Sequence, residues 1–177
     1  MKQILVIGAG RSAVTLIDYL LKESHLNLWK VTIADYNLNL AENLASNNSN
    51  ARPIFFNVND EQQRENEIRN SDIVVSMLPS NMHYLVAKDC LKFKKNLVTA
   101  SYVSDQIKAY DELARKNNII FLNEIGLDPG IDHMSAMKVI DELRLKNAKL
   151  LSFKSYCGGL IHPESDNNPW NYKFTWN

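Results

Sequence analysis

Residues 1–35 constrain the fold of this chain more than any other stretch. KQILVI (2–7) is a short apolar run rich in branched side chains, the pattern of a strand buried on both faces. It leads straight into GAGRSA (8–13), where Gly8, Gly10 and Ala13 fill the spacing G-x-G-x-x-G/A. Val14, Ile17, Leu20 and Leu21 then recur at helical spacing and are expected to face inward, and a second buried strand, VTIAD, ends in Asp35. Each piece has a physical task in holding a dinucleotide. Gly8 permits the tight turn out of the strand, Gly10 lets the backbone approach a pyrophosphate, and Ala13 is small enough for close helix–strand packing. Arg11 and Ser12 complete the turn, and the helix that follows presents free N–H groups and the positive end of its dipole to the phosphates.

Asp35 lies twenty-two positions beyond Ala13, close to the spacing of about 20 expected for the acid that holds the adenosine ribose. A carboxylate accepts hydrogen bonds from the ribose 2′- and 3′-hydroxyls and repels a 2′-phosphate. No Arg or Lys occurs in YNLNLAENL, the nine residues that follow. The expected cofactor is NAD rather than NADP. The plain alternative makes Asp35 a strand-end or capping residue.

Beyond this unit, strand and helix patterns alternate, which implies βαβ crossovers and a parallel sheet. Strands are expected at PIFFNV (53–58), DIVVSML (72–78, central), NLVTAS (96–101) and NIIFLNE (118–124). Helices are expected at 38–47, 61–70, 81–94, 104–117 and from Ile131–Asp132 to about Asn147. Leu85, Val86, Cys90 and Leu91 should face inward on the helix over 81–94. The fold class is α/β, a doubly wound parallel sheet of the Rossmann type with right-handed crossovers. Ligands in such a sheet lie beyond the carboxyl ends of the strands. That rule selects Gly8–Ala13, Asp35–Tyr36, Asn57–Asn59 including Val58, Leu78–Ser80 including Pro79, Ser101–Tyr102, and Glu124–Pro129 including Leu127.

Residues 1–125 are therefore expected to form the NAD-binding domain, and 126–177 a linker helix and the start of a second, mixed α/β substrate domain. LLSFKSYCGG (150–159) has the alternation of a strand opening that domain. The closing aromatics Trp170, Tyr172, Phe174 and Trp176 need covering, so a longer chain is expected to complete the domain.

Twenty basic and twenty acidic residues cancel, which leaves no field suited to nucleic acid or an acidic membrane surface. No apolar run approaches the roughly 20 residues of a membrane span, and the N-terminus lacks a signal-peptide layout. Cys90 and Cys157 have neither metal-ligand spacing nor a disulfide framework, so no metal is expected and a reducing cytoplasm is the expected setting.

Three further stretches are distinctive: LVTASYVS (97–104), GLDPGIDHMSAM (126–137) and SYCGGLIHPESDNNPWNYKFTW (155–176). Together with GAGRSA they resemble the saccharopine dehydrogenases, specifically the L-glutamate-forming branch, over essentially the whole chain. The resemblance implies oxidation of the secondary amine of saccharopine to an imine, whose hydrolysis gives L-glutamate and 2-aminoadipate 6-semialdehyde in lysine metabolism. Fungal biosynthetic members have a basic residue where strand two ends and use NADP, whereas this chain has Asp35. By the same resemblance, Ser101 and Tyr102 lie where substrate and nicotinamide meet, and Asp128–Pro129 match a segment between the domains. Asp128 either holds the substrate amine or caps the next helix. His133 is a candidate to deprotonate the amine, a task that suits the histidine side chain, or is a packed first-turn histidine. Cys157 and Gly158 resemble substrate-domain contacts, and Trp176 a ligand-facing aromatic, with plain packing as the alternative for each. Ile161 and His162 stand where members commonly have proline and alanine.

The expected partners are a small-molecule substrate and, admissibly, a second copy of the chain. The competing functions are a related amine-forming reductase such as carboxynorspermidine dehydrogenase, and a non-catalytic NAD-binding regulator. The first is disfavoured by the SYCGGL and NNP segments, the second by the intact Asp128–His133 segment.

Overall fold

The computed structural model describes residues 1–156 and 161–173. The described strands are β1 (Lys2–Ile7), β2 (Trp29–Asp35), β3 (Ala51–Phe55), β4 (Ile73–Ser76), β5 (Asn96–Thr99) and β6 (Phe121–Leu122). They form a parallel sheet of 6 strands in the order β3-β2-β1-β4-β5-β6. The helices are α1 (Val14–Asn27), α2 (Leu38–Ala45), α3 (Glu61–Arg69), α4 (His83–Phe93), α5 (Asp105–Lys108), α6 (Asp111–Lys116) and α7 (Ile131–Leu145). This is the doubly wound Rossmann arrangement, with β1 and β4 side by side where the strand order reverses.

The period of two along β1 divides the core between the two faces. Ile4 and Val6 join Ile17, Leu20 and Leu21 of α1 and Ala41 and Ala45 of α2. Leu5 and Ile7 join Ile68 of α3 and Val86, Ala87 and Cys90 of α4. Cys90 is fully buried, and burial first, then the neighbouring Asp89, pushes its thiol far above the ordinary range. It therefore packs as a small apolar residue and is expected to resist thiol reagents in the folded protein.

Several expected boundaries move for identifiable reasons. Val14 is exposed rather than inward, and the position one turn before Ile17 on the inward face is taken by buried Ala13. The third strand runs Ala51–Phe55, with Pro53 tolerated because β3 is an edge strand. The helix expected over 104–117 is broken after Lys108, where the Tyr110 N–H bonds Ile107 O at 3.0 Å in a tighter turn. The sixth strand shrinks to Phe121–Leu122. The Ile119 N–H goes to Ala114 O at the end of α6 and the Ile120 N–H to Asn96 Oδ1, so neither enters the ladder.

The chain divides into two compact units, Met1–His133 and Met134–Asn177. In the second, residues 150–156 form no strand, contrary to the alternation. Leu151 and Tyr156 are exposed there, and no described segment offers the ladder that alternation alone cannot supply. Residues 157–159 of that expected strand lie outside the described residues. Pro163–Ser165 form a 3-10 turn to which His162 Nδ1 contributes by accepting the Glu164 N–H at 3.3 Å. Among the described residues, no helix is long and apolar enough to cross a membrane.

Candidate functional site

The site is built from the carboxyl ends of the strands in the first unit. β1 delivers Gly8 in a left-handed conformation, φ +107°, with its N–H donating to Ala34 O at 2.8 Å. Gly10 follows with extended φ and ψ, and no side chain caps the turn that starts there. A Cβ built on Gly10 meets nothing within 4 Å. The turn thus presents uncapped N–H groups to open space beside a helix N-terminus, which fits a pyrophosphate.

Asp35 closes the far side of this turn. Its Oδ2 accepts the Ala9 N–H at 2.6 Å and its Oδ1 accepts the Asn37 N–H at 2.8 Å. A carboxylate has about four acceptor positions, so both oxygens retain capacity for ribose hydroxyls. Beside it, the exposed rings of Tyr36 and Phe55 lie 5.4 Å apart and tilted. The nearby strap after β3 is held by Gln63, whose Oε1 accepts the Asn57 N–H at 2.9 Å and whose amide donates to Phe55 O at 2.8 Å. Val58, expected as a cofactor contact, has its side chain buried in the core and its carbonyl taken by Arg64 Nη1 at 2.6 Å. Arg52, farther back on β3, is committed to Thr32 and Glu67.

The ends of β4 and β5 are joined by a residue that the motif reading passed over. His83, at the start of α4, is 2% exposed. Its Nδ1 lies 2.8 Å from Ser76 Oγ, and its Nε2 lies 2.8 Å from Ser101 Oγ and 3.2 Å from Thr99 Oγ1. Burial holds this imidazole below its ordinary value of 6.5. A signal existed in the sequence: a histidine in an apolar helical stretch, just after a strand that ends at the switch point. Because the unfolded chain takes up His83's proton first, this residue's contribution to stability is full above about pH 6.5 and is lost as pH falls below it. Urea midpoints should therefore drop with acidification in that window, and the drop should be shallower in His83→Gln.

Ser101 and exposed Tyr102 extend from β5. The segment is hooked from the β6 side, where the Glu124 N–H donates to Ser101 O at 3.1 Å and Glu124 Oε1 accepts the Val103 N–H at 3.2 Å. Leu78 and Pro79 follow β4, Leu78 half-buried and Pro79 exposed. Leu127 and Asp128 are exposed in the turn before α7. That turn folds tightly, with Gly126 N–H donating to Pro129 O at 2.8 Å and Gly130 at φ +143°. The acceptor for the Gly130 N–H is Asp132 Oδ1 at 2.9 Å. His133 Nδ1 also contacts Asp132 Oδ1 at 2.8 Å, which commits one ring nitrogen of this exposed histidine. Cys157, Gly158 and Trp176 lie outside the described residues.

A parallel sheet in this order, with an open glycine turn and an acid at the end of β2, defines a pyridine-dinucleotide-binding domain. Residues 4–122 match the saccharopine dehydrogenase NADP binding domain and residues 126–177 match the saccharopine dehydrogenase C-terminal domain. The chain belongs to the saccharopine dehydrogenase family. It is 40% identical over 175 residues to the saccharopine dehydrogenase (NADP+, L-glutamate-forming) of Pyricularia oryzae, an alignment covering 99% of this chain and 38% of that protein. It is 36% identical over 176 residues to the mitochondrial alpha-aminoadipic semialdehyde synthase of Bos taurus, covering 99% of this chain and 19% of that one. Among solved structures, the apo saccharopine dehydrogenase (L-Glu forming) of Saccharomyces cerevisiae matches with a TM-score of 0.78 and 38% identity, over 99% of this chain and 39% of that chain. The chain therefore spans about 38% of the length of the fungal relatives it matches.

Proposed function

We propose that this chain is the dinucleotide-binding part of an L-glutamate-forming saccharopine dehydrogenase that prefers NAD. The substrate assignment is supported by two successive family domains covering nearly the whole chain. The observation that carries the cofactor preference is the Asp35 carboxylate, fixed at the end of β2 by the Ala9 and Asn37 N–H groups. A ribose diol adds two hydroxyl donors to those oxygens, whereas a 2′-phosphate brings like charge against them. The fungal relatives are named as NADP+ enzymes, so cofactor preference is the point on which this chain is expected to differ.

A bound nicotinamide would supply the acceptor for a hydride from the carbon that carries the secondary amine. The chain's own residues have three duties around that event. The glycine turn holds the phosphates, Ser101 and Tyr102 border the reacting end, and a base removes the ammonium proton so that the nitrogen lone pair is free. Asp128, His133 and Tyr102 are the candidates for that base. Of these, His133 already holds Asp132 through Nδ1, which leaves Nε2 to take up a proton.

The test is initial-rate reduction of NAD and NADP by the whole protein with saccharopine at mildly alkaline pH, where more substrate amine is neutral. NAD should give a kcat/KM at least roughly tenfold above NADP, a difference of about 1.4 kcal/mol. Asp35→Ser should narrow that ratio, chiefly through poorer use of NAD. Equal or better use of NADP by the wild type overturns the Asp35 argument and leaves the substrate assignment standing. Dinucleotide binding without saccharopine turnover overturns the substrate assignment.

A further inference from the structure

We propose that His83 is a positioning residue for the reaction, holding the Ser101 hydroxyl in place at the end of β5 as the last member of a Ser76–His83–Ser101 chain. This inference rests on the reading of the β5 end as the place where nicotinamide and amine meet. The geometry is unusual for a structural histidine. Both ring nitrogens meet hydroxyls at 2.8 Å, one on β4 and one just past β5. The first residue of α4 thereby bridges the two strand ends, and it does so from a position shut off from solvent.

A neutral imidazole has one donor and one acceptor nitrogen. If Ser76 donates to Nδ1, then Nε2–H donates to Ser101 Oγ and the Ser101 proton is free to point at a ligand. In the other tautomer Nε2 accepts, and Ser101 Oγ, at 2.8 Å against 3.2 Å for Thr99 Oγ1, is the nearer donor and offers its lone pairs outward. Either way the ring removes the rotational freedom of the Ser101 hydroxyl, and the choice of tautomer sets whether that hydroxyl gives or accepts. Two further bonds keep the arrangement in register: the Ser101 N–H donates to Thr99 Oγ1 at 3.3 Å, and the Ser101 carbonyl is held by the Glu124 N–H. The hydroxyl is therefore pre-set before any ligand arrives, which is the condition for orientation to contribute to rate rather than to binding alone.

The test uses the whole protein and three variants. Gln places an amide where Nε2 stood and retains a partner for Ser101, whereas the shorter Asn retains only the Ser76 side. His83→Asn should lower kcat roughly tenfold to a hundredfold with the NADH dissociation constant within about twofold, and His83→Gln should recover most of that loss. Ser101→Ala should lower kcat similarly, and adding His83→Asn to it should cost little more, because both substitutions break one chain. A purely packing histidine would instead give effects that multiply, and Gln would not rescue better than Asn.

A second readout does not depend on turnover. The ring-nitrogen NMR signals of His83, assigned by their loss in His83→Gln, should shift when the wild type is saturated with NADH and stay put in Ser101→Ala. Unchanged His83 signals on saturation, or equal shifts with and without the Ser101 hydroxyl, overturn the inference. A shift in the wild type together with no saccharopine turnover overturns only the substrate assignment.

Discussion

Asp89→Ala is expected to lower folding stability by about 3–5 kcal/mol, the range for removing one partner of a buried ion pair. The Arg64–Asp89 pair spans α3 and α4 with Nε to Oδ2 at 2.6 Å, and both side chains are almost wholly buried. Removing the carboxylate leaves a guanidinium in the core with only the Val58 carbonyl for company. The desolvation of the stranded charge then outweighs the lost attraction itself. Replacing both residues with apolar ones of similar size, Arg64→Met with Asp89→Leu, should restore most of that stability while still losing the Val58 bond, worth about 1 kcal/mol. Urea unfolding of the singles and the double measures this directly. A single substitution costing under about 1 kcal/mol, as exposed pairs do, would show that water reaches Arg64.

The two glycines of the turn should respond in opposite ways. Gly8→Ala forces a left-handed φ of +107° on an L side chain and sets its Cβ 2.8 Å from the Met77 carbonyl oxygen, which is backbone and cannot swing away. Adding a conformational cost of about 1–2 kcal/mol to an overpacking cost of about 1–3 kcal/mol gives a loss of several kcal/mol, with dinucleotide binding falling along with the fold. Gly10→Ala meets no neighbour within 4 Å, and its φ of −71° suits any residue. Its thermal midpoint should hold or rise slightly, since alanine narrows the unfolded ensemble, while NADH affinity drops by roughly tenfold or more as the methyl enters the space of the pyrophosphate. Loss of stability in Gly10→Ala, or unchanged NADH affinity, would contradict this division of labour.

The parallel sheet and the glycine turn were legible because buried parallel strands read as continuous apolar runs and because the turn's residue types are dictated by backbone conformation. The ends of elements were harder to see. Leu28, Ser46 and Lys94 all close helices in the left-handed region, where glycine is the usual sign. The sixth strand looked longer than it is because Asn96, a side chain distant in sequence, intercepts the Ile120 N–H. Alternation over 150–156 misled for a related reason: a period of two marks a face, and a strand also needs a partner. The carboxyl-edge rule selects Asp35 and the end of β5, but not His83 or Gln63. Their roles depend on hydrogen bonds to Ser101 and to the strap after β3 that exist only once the chain is folded.

The carboxylate of Asp35 ties the end of β2 to the glycine turn through the Ala9 N–H. On the NAD reading proposed above, cofactor choice and turn shape rest on one carboxylate, whose Oδ2 holds the Ala9 N–H. Exchanging Asp35 for a residue that tolerates a 2′-phosphate also unhooks the turn that must grip the pyrophosphate, so a first step toward NADP weakens both dinucleotides before it favours either. A lineage, or an engineer, that moves this chain between cofactors has to supply a new acceptor for the Ala9 N–H at the same time. Such a move therefore takes paired substitutions.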